Sequence, residues 1–217
     1  MREYNYDYAD GVMALVAKEV VRAFSGLKSQ LFIDEINVIS RVNAVYRDLG
    51  QIVRRAYRKI ARYYYGIIWD DEVRASPDYL LDEEWIEAIL EGYDPLSHYV
   101  FTHEEDRKRA LLIEAIMASQ NPNEEIDAAA KRLGFMYNIY SVRVADEAAV
   151  KAFLDQGVRR VQWIAELDNR TCKVCYTRDG KIYPVSELPP KPHINCRCTL
   201  RRIDTNAEID YAAIRNG

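Results

Sequence analysis

Every cysteine in the sequence belongs to one cluster, written Cys172-x-x-Cys175 and then His193-x-x-Cys196-x-Cys198. A two-residue spacer lets the first two sulfurs turn toward a single ion, the knuckle arrangement of structural zinc sites. In an extended strand Cys196 and Cys198 lie on one face, because side chains repeat every two residues. Any two of His193, Cys196 and Cys198 can therefore complete a tetrahedron begun by Cys172 and Cys175. Thiolate and imidazole donors favour zinc over hard cations. A closed four-ligand site leaves no position for water and hence supplies structure rather than Lewis-acid chemistry.

Three other readings compete: disulfides, thiols buried only for packing, and a catalytic cysteine. The opening MREYNYDYAD lacks the apolar run of a secretory signal. The longest apolar stretch, YYYGIIW, is too short to span a bilayer. Synthesis in a reducing cytoplasm is the expectation, and it counts against disulfides. A catalytic thiol wants a base beside it. The other histidines, His98 and His103, have no metal-like spacing and read as surface or interface groups. Paired carboxylates and a phosphate-cradling glycine loop are both missing, so no catalytic residue is assigned and a non-enzymatic role is expected. A zinc-supported nuclease is the alternative chemistry, with Asp168 as an isolated candidate for holding a cation.

The elements that must position this cluster differ along the chain. Residues 1–156 read as a helical body and residues 157–217 as a small β-rich module, giving an α+β fold that is mainly α. Residues 11–27 have helical periodicity ending near Gly26. Ile39, Val42, Tyr46, Leu49, Val53, Ala56, Ile60, Tyr63 and Ile67 alternate three and four apart, the seam of one long helix, weakened at Gly50. Arg47, Arg54, Arg55, Arg58, Lys59 and Arg62 read as a solvated opposite face, with a phosphate or partner contact as the alternative, and Tyr63, Tyr64 and Tyr65 read as core and rim packing rather than a base-stacking platform. A helix capped by Ser76 with Pro77 at its first position, another capped by Thr102 and stopped at Asn121-Pro122, and one or two more over 123–156 complete the body. Beyond Gly157, Val161, Trp163, Ala165 and Leu167 alternate as one face of a strand. Asp179-Gly180 signals a tight hairpin, SELPPKP a loop, and CRCTLRRI a closing strand.

The net charge is −4, but it is unevenly placed. Residues 69–95 hold ten acids and one base, whereas 158–202 hold ten bases and four acids. Arg159, Arg160, Arg197, Arg201 and Arg202 fall in or beside the predicted strands, where several can share an exposed edge suited to phosphates.

The run Trp163-Ile164-Ala165-Glu166-Leu167-Asp168-Asn169-Arg170-Thr171-Cys172-x-x-Cys175, followed by Asp179-Gly180-Lys181-Ile182-Tyr183 and Pro192-His193-Ile194-Asn195-Cys196-Arg197-Cys198, resembles the phage Mu protein F-like family of head morphogenesis proteins. The resemblance covers about residues 157–203. It departs at Ile194, where the family usually has a proline. It implies a minor head (capsid) protein present in few copies in the virion, in the head interior or near the portal. Its implied partners are the portal protein, other capsid components and packaged double-stranded DNA, with no membrane, and its implied work is head assembly or genome delivery. A host zinc-ribbon nucleic-acid-binding protein is the competing reading.

Overall fold

The structure is a computed structural model that describes residues 4–30, 35–68, 83–94, 99–169, 171–193 and 196–203. Among these residues there are six helices: α1 (Asp7–Gln30), α2 (Glu35–Ile68), α3 (Glu83–Glu91), α4 (Phe101–Ala118), α5 (Pro122–Asp155) and α6 (Lys173–Arg178). Two short strands, β1 (Tyr93–Asp94) and β2 (Tyr99–Val100), pair antiparallel before α4. Strands β3 (Arg160–Ile164), β4 (Ile182–Pro184) and β5 (Thr199–Arg202) form an antiparallel sheet in the order β4-β3-β5. The fold is α+β and mainly helical, as the sequence indicates. None of the described helices is long and apolar enough to cross a membrane.

The long helices form because apolar side chains recur at helical spacing. In α1 the buried stripe is Met13, Val16, Val20, Phe24 and Leu27. It runs through Gly26 and carries the helix to Gln30, beyond the expected stop. Burial of Leu27 offsets the roughly 1 kcal/mol cost of an interior glycine. In α2, beside buried Ala56, Ala61 and Tyr65, the main buried stripe is made by Val38, Val42, Tyr46, Leu49, Val53, Tyr57, Ile60 and Tyr64. Their steps of four, four, three, four, four, three and four follow a straight helix rather than a strict heptad, which drifts about 20° per seven residues. The expected seam is therefore right in the middle and wrong at its ends, where Ile39 and Tyr63 are exposed. Of the basic face, Arg47, Arg55, Lys59 and Arg62 are exposed, whereas Arg54 is drawn into ion pairs.

Helix ends explain the remaining differences. The expected cap at Thr102 is displaced, because β2 runs directly into α4 and extended Val100 takes the capping position. Ser76, Pro77 and His98 lie outside the described residues. Ser119 and Asn121 end α4 and start α5: Asn121 N donates to Ser119 Oγ at 3.0 Å, and Asn121 Nδ2 donates to Glu124 Oε1 at 2.6 Å. Pro122 occupies the first helical position, where its missing N–H costs nothing. Residues 122–155 then form one unbroken helix. It stops at Gly157, whose φ of 70° is left-handed. Val158 N donates to Phe153 O and Gly157 N to Leu154 O, both at 2.9 Å. That is a Schellman stop, with buried Val158 and Phe153 supplying its usual apolar pair.

The chain divides into two compact units. The first comprises the described parts of Met1–Tyr8, Ala61–Leu80 and Val142–Gly217; the second comprises those of Ala9–Ile60 and Leu81–Ser141. The 156/157 boundary drawn from sequence marks the change from helix to strand, while the units follow packing and split both α2 and α5. The second unit centres on Phe101, whose ring lies 6.0 Å from Tyr57, 5.9 Å from Tyr137 and 4.6 Å from Tyr140. Beside it Arg54 reaches Glu87 of α3 at 3.2 Å and Glu105 of α4 at 3.5 Å. Gly50 makes room for this, since a Cβ there would lie 3.1 Å from Arg54 Nη1.

The first unit holds the sheet and the cysteine cluster. Val161, Trp163 and Leu200 are buried on one sheet face, as register and burial agree. Gln162 on the other face is also buried, donating to Gly180 O at 2.8 Å and accepting from Arg201. The strand ends earlier than alternation suggests: Leu167 is 54% exposed and sits at φ 52° in the loop beyond. Tyr64 and Tyr65 are buried, donating to Asn5 O at 2.6 Å and Asp155 Oδ2 at 2.8 Å, while Tyr63 stacks on Tyr8 at 3.9 Å. These three tyrosines pack core and rim, as expected.

Candidate metal centre

The first half of the cluster begins a helix. Cys172 is the N-cap of α6, and its Sγ accepts from Cys175 N at 3.3 Å. Tyr176 N closes the first turn onto Cys172 O at 3.0 Å. The cysteines three apart thus face the same side of one turn. This helix replaces the expected two-residue hairpin: β3 and β4 do pair antiparallel, but seventeen residues, 165–181, connect them. Asp179 caps the end of α6 and Gly180, at φ 75°, turns the chain into β4. Asp179 Oδ1 accepts from Ala165 N at 2.9 Å, and Gly180 N donates to Trp163 O at 2.8 Å, so the loop is tied to the end of β3.

The second half lies between the proline loop and β5. Cys196 N donates to His193 O at 3.1 Å, which folds His193-x-x-Cys196 into a second tight turn. Cys196 and Cys198 precede β5 rather than lying within it, and both are buried. Ile194 and Asn195 are outside the described residues.

The two turns bring the five sequence-predicted residues into two overlapping groups of three that share Cys175. Cys175 Sγ lies 3.5 Å from His193 Nε2 and 3.5 Å from Cys196 Sγ. The donor atoms form two groups, Cys172–Cys175–His193 and Cys175–Cys196–Cys198, each within 4.8 Å throughout. Cys175 belongs to both. Sulfurs across a tetrahedral zinc site stand about 3.8 Å apart, given a Zn–S distance of about 2.3 Å. The spacing therefore fits a metal, and this cluster could hold one.

The thiols are not equivalent. Burial pushes Cys175 up to about 12. Cys196 is also raised, first by its hydrogen bond to Cys198 and then by burial. The same bond holds Cys198 down at about 6, with Cys175, Trp163 and Lys191 adding to it. Cys172 is lowered chiefly by the Cys175 backbone N–H. Cys172 and Cys198 are thus shifted toward the thiolate that a soft metal requires, while Cys175 and Cys196 are held as thiols until a cation offsets their burial.

Several charged groups prove to be occupied elsewhere. Asp168 accepts from Thr171 Oγ1 at 3.1 Å while Thr171 Oγ1 accepts from Asp168 N at 2.9 Å, closing the loop before Cys172. Arg159 and Arg160 are exposed. Arg197 instead lies 4.6 Å over the Tyr6 ring, Arg201 donates to Gln162, and Arg202 donates to Gln156 Oε1 at 3.1 Å. The five arginines therefore do not form one free edge. His103 is exposed on α4.

Sequence reading missed the residues that support the cluster from behind. Tyr6, 2% exposed, donates to Asp146 Oδ1 at 2.6 Å and shares its hydroxyl with Cys198 O at 3.0 Å. Lys191 Nζ pairs with Asp146 at 3.2 Å. Burial raises the Asp146 carboxyl, and Lys191 and the tyrosines pull it back. The period-two spacing of Tyr4, Tyr6 and Tyr8 is the signal that could have pointed there.

A turn-and-helix thiol cluster set on a small antiparallel sheet defines a cysteine-rich module that could hold a metal. Residues 107–201 match the profile of the family described as Phage Mu protein F like protein. The family suggested by the cysteine-bearing run is thus the one that matches, and the match extends upstream through most of α4 and all of α5. It points to a phage head morphogenesis protein and to the virion as its location. No curated protein and no solved structure matches the chain.

Proposed function

We propose that this is a minor head protein of a phage, working without catalysis near the portal and packaged DNA, with a structural zinc ion in its C-terminal cluster. The observation carrying the reading is that all five donors fall inside the matched span and converge on Cys175. Cys172 and Cys175 with two of His193, Cys196 and Cys198 would hold the ion. Zinc supplies no redox chemistry and, with four protein donors, fixes two chain turns to each other. That suits a module too small to build a large core of its own.

On this reading the partners are the portal protein, other capsid components and the phosphates of double-stranded DNA, the last supported by exposed Arg159 and Arg160. A low copy number accompanies a place at the portal.

The test is purification from infected cells. The protein should travel with procapsids or a portal ring and carry about one zinc per chain. Plasmid DNA incubated with it and magnesium or manganese should stay intact. A protein found only free of particles would favour a host nucleic-acid binder, and cutting lost in His193→Ala would favour the nuclease.

A further inference from the structure

The polar network behind Cys198 has a stoichiometry that closes. An ammonium has three N–H donors. Lys191 uses one on Cys198 O, one on Tyr6 Oη at 2.8 Å, and directs one to Asp146 Oδ2 at 3.2 Å. Tyr6 then gives its own proton to Asp146 Oδ1 at 2.6 Å, with Cys198 O 3.0 Å away as its second acceptor. Tyr4 places its hydroxyl 3.4 Å from the same carboxylate oxygen. The Tyr6 ring carries Arg197 at 4.6 Å, and Arg197 lies between the two C-terminal cysteines. One tyrosine therefore touches the Cys196–Cys198 turn twice, by its ring and by its hydroxyl. It is held in turn by a carboxylate from α5.

From this geometry we infer that Tyr6, Lys191 and Asp146 are positioning residues of the metal centre, an outer shell that fixes the Cys198 peptide and makes metal retention depend on the Tyr6 hydroxyl. The inference rests on the metal reading above. Groups behind metal ligands set ligand orientation, and losing one typically costs 10- to 100-fold in metal affinity. Lys191 has a further part: its positive charge offsets the excess negative charge of a site with three or four thiolates. The N-terminal segment is thus part of the centre rather than an appendage.

The test uses the full chain loaded with zinc and titrated with a chromogenic chelator. Tyr6→Phe keeps the ring under Arg197 and removes only the hydroxyl. It should still bind one zinc but lose it to chelator at about ten-fold lower concentration. Tyr64→Phe is the control, since its hydroxyl serves Asn5 O at 2.6 Å in the same aromatic group without reaching Cys198. It should hold zinc as the wild type does. Asp146→Asn, which removes the charge that orients Lys191, provides a second variant and should shift retention in the same direction. Wild-type retention in both Tyr6→Phe and Asp146→Asn overturns the inference, as does an equal loss in Tyr64→Phe, which would signify general packing. A wild-type chain that takes up no zinc brings down the metal reading, and this outer shell with it.

Discussion

Arg54→Met is a perturbation whose consequence can be worked from three contacts. The guanidinium is 23% exposed and pairs with Glu87, 36% exposed, and Glu105, 13% exposed. At an effective dielectric of about 20, opposite charges 3.5 Å apart attract by about 5 kcal/mol before desolvation is counted. The Glu87 arm is close to a surface pair and contributes about 0–1 kcal/mol. The Glu105 arm is different, because removing Arg54 leaves a largely buried carboxylate with Tyr137 Oη, at 2.6 Å, as its remaining partner among the contacts described above. Breaking a buried pair from one side costs about 3–5 kcal/mol, and partial exposure puts this one near 3 kcal/mol. Urea denaturation of Arg54→Met, Glu105→Gln and the double variant measures it. The amide can still accept from Tyr137, so Glu105→Gln should recover about 2 kcal/mol of the Arg54→Met loss. pH supplies an independent check. Burial already raises Glu105 above its ordinary 4.5, with Tyr137 and Arg54 opposing it. Without Arg54 it rises further. A carboxyl raised in the folded state retains its stability below the unfolded value and loses it as pH climbs through the folded one. The Arg54→Met deficit should therefore be large at pH 7 and shrink toward pH 4.5. A deficit that is the same at both pH values, or a coupling below about 0.5 kcal/mol, would refute the reasoning.

Cys175→Ser should lose the metal most completely, since Cys175 alone belongs to both donor groups; metal analysis should find far less than one zinc per chain, and the near-ultraviolet signal of Trp163 should melt at lower temperature. Gly157→Ala should cost about 1 kcal/mol, all of it from the left-handed backbone, because a Cβ there meets nothing within 4 Å; thermal unfolding should show the drop and Gly157→Asn a smaller one. Glu104 is held down to about 2, chiefly by the Arg107 hydrogen bond, so its contribution is full above its ordinary 4.5 and disappears as pH falls toward 2. Glu104→Gln should flatten the acid limb of the stability profile over that window and leave its neutral part lower.

How much of this was legible depended on whether a local rule decided it. The CxxC and HxxCxC spacings constrain single turns, so the five donors could be named without knowing the fold. The middle of the α2 stripe was legible because burial there repeats over many turns. The ends were not, since a heptad reading accumulates drift that only the neighbours reveal. Thr102 has good capping chemistry, but β2 delivers Val100 to that place first. Asp179-Gly180 is a turn in fact as in sequence, but α6 stands before it, nucleated by Cys172 capping Cys175. The Tyr6–Asp146–Lys191 group was missed for another reason: the tyrosine spacing flags Tyr6 alone, and its partners lie in two distant segments that share no period with it.

Tyr6 and the Cys198 carbonyl it touches are 192 residues apart in sequence. That separation has a kinetic meaning. All of the second unit lies within residues 9–141, so a ribosome has delivered every part of it well before β3 is made. The first unit must wait: its tyrosines precede the second unit in the chain, its central strand and first thiols follow it, and its closing strand comes later still. Contacts of such long range pay a large loop-closure entropy before they return any stability, and chains built on them fold slowly. The expected order is thus an early helical unit and a late unit completed by its most distant pieces, with Tyr6 among the last residues to settle.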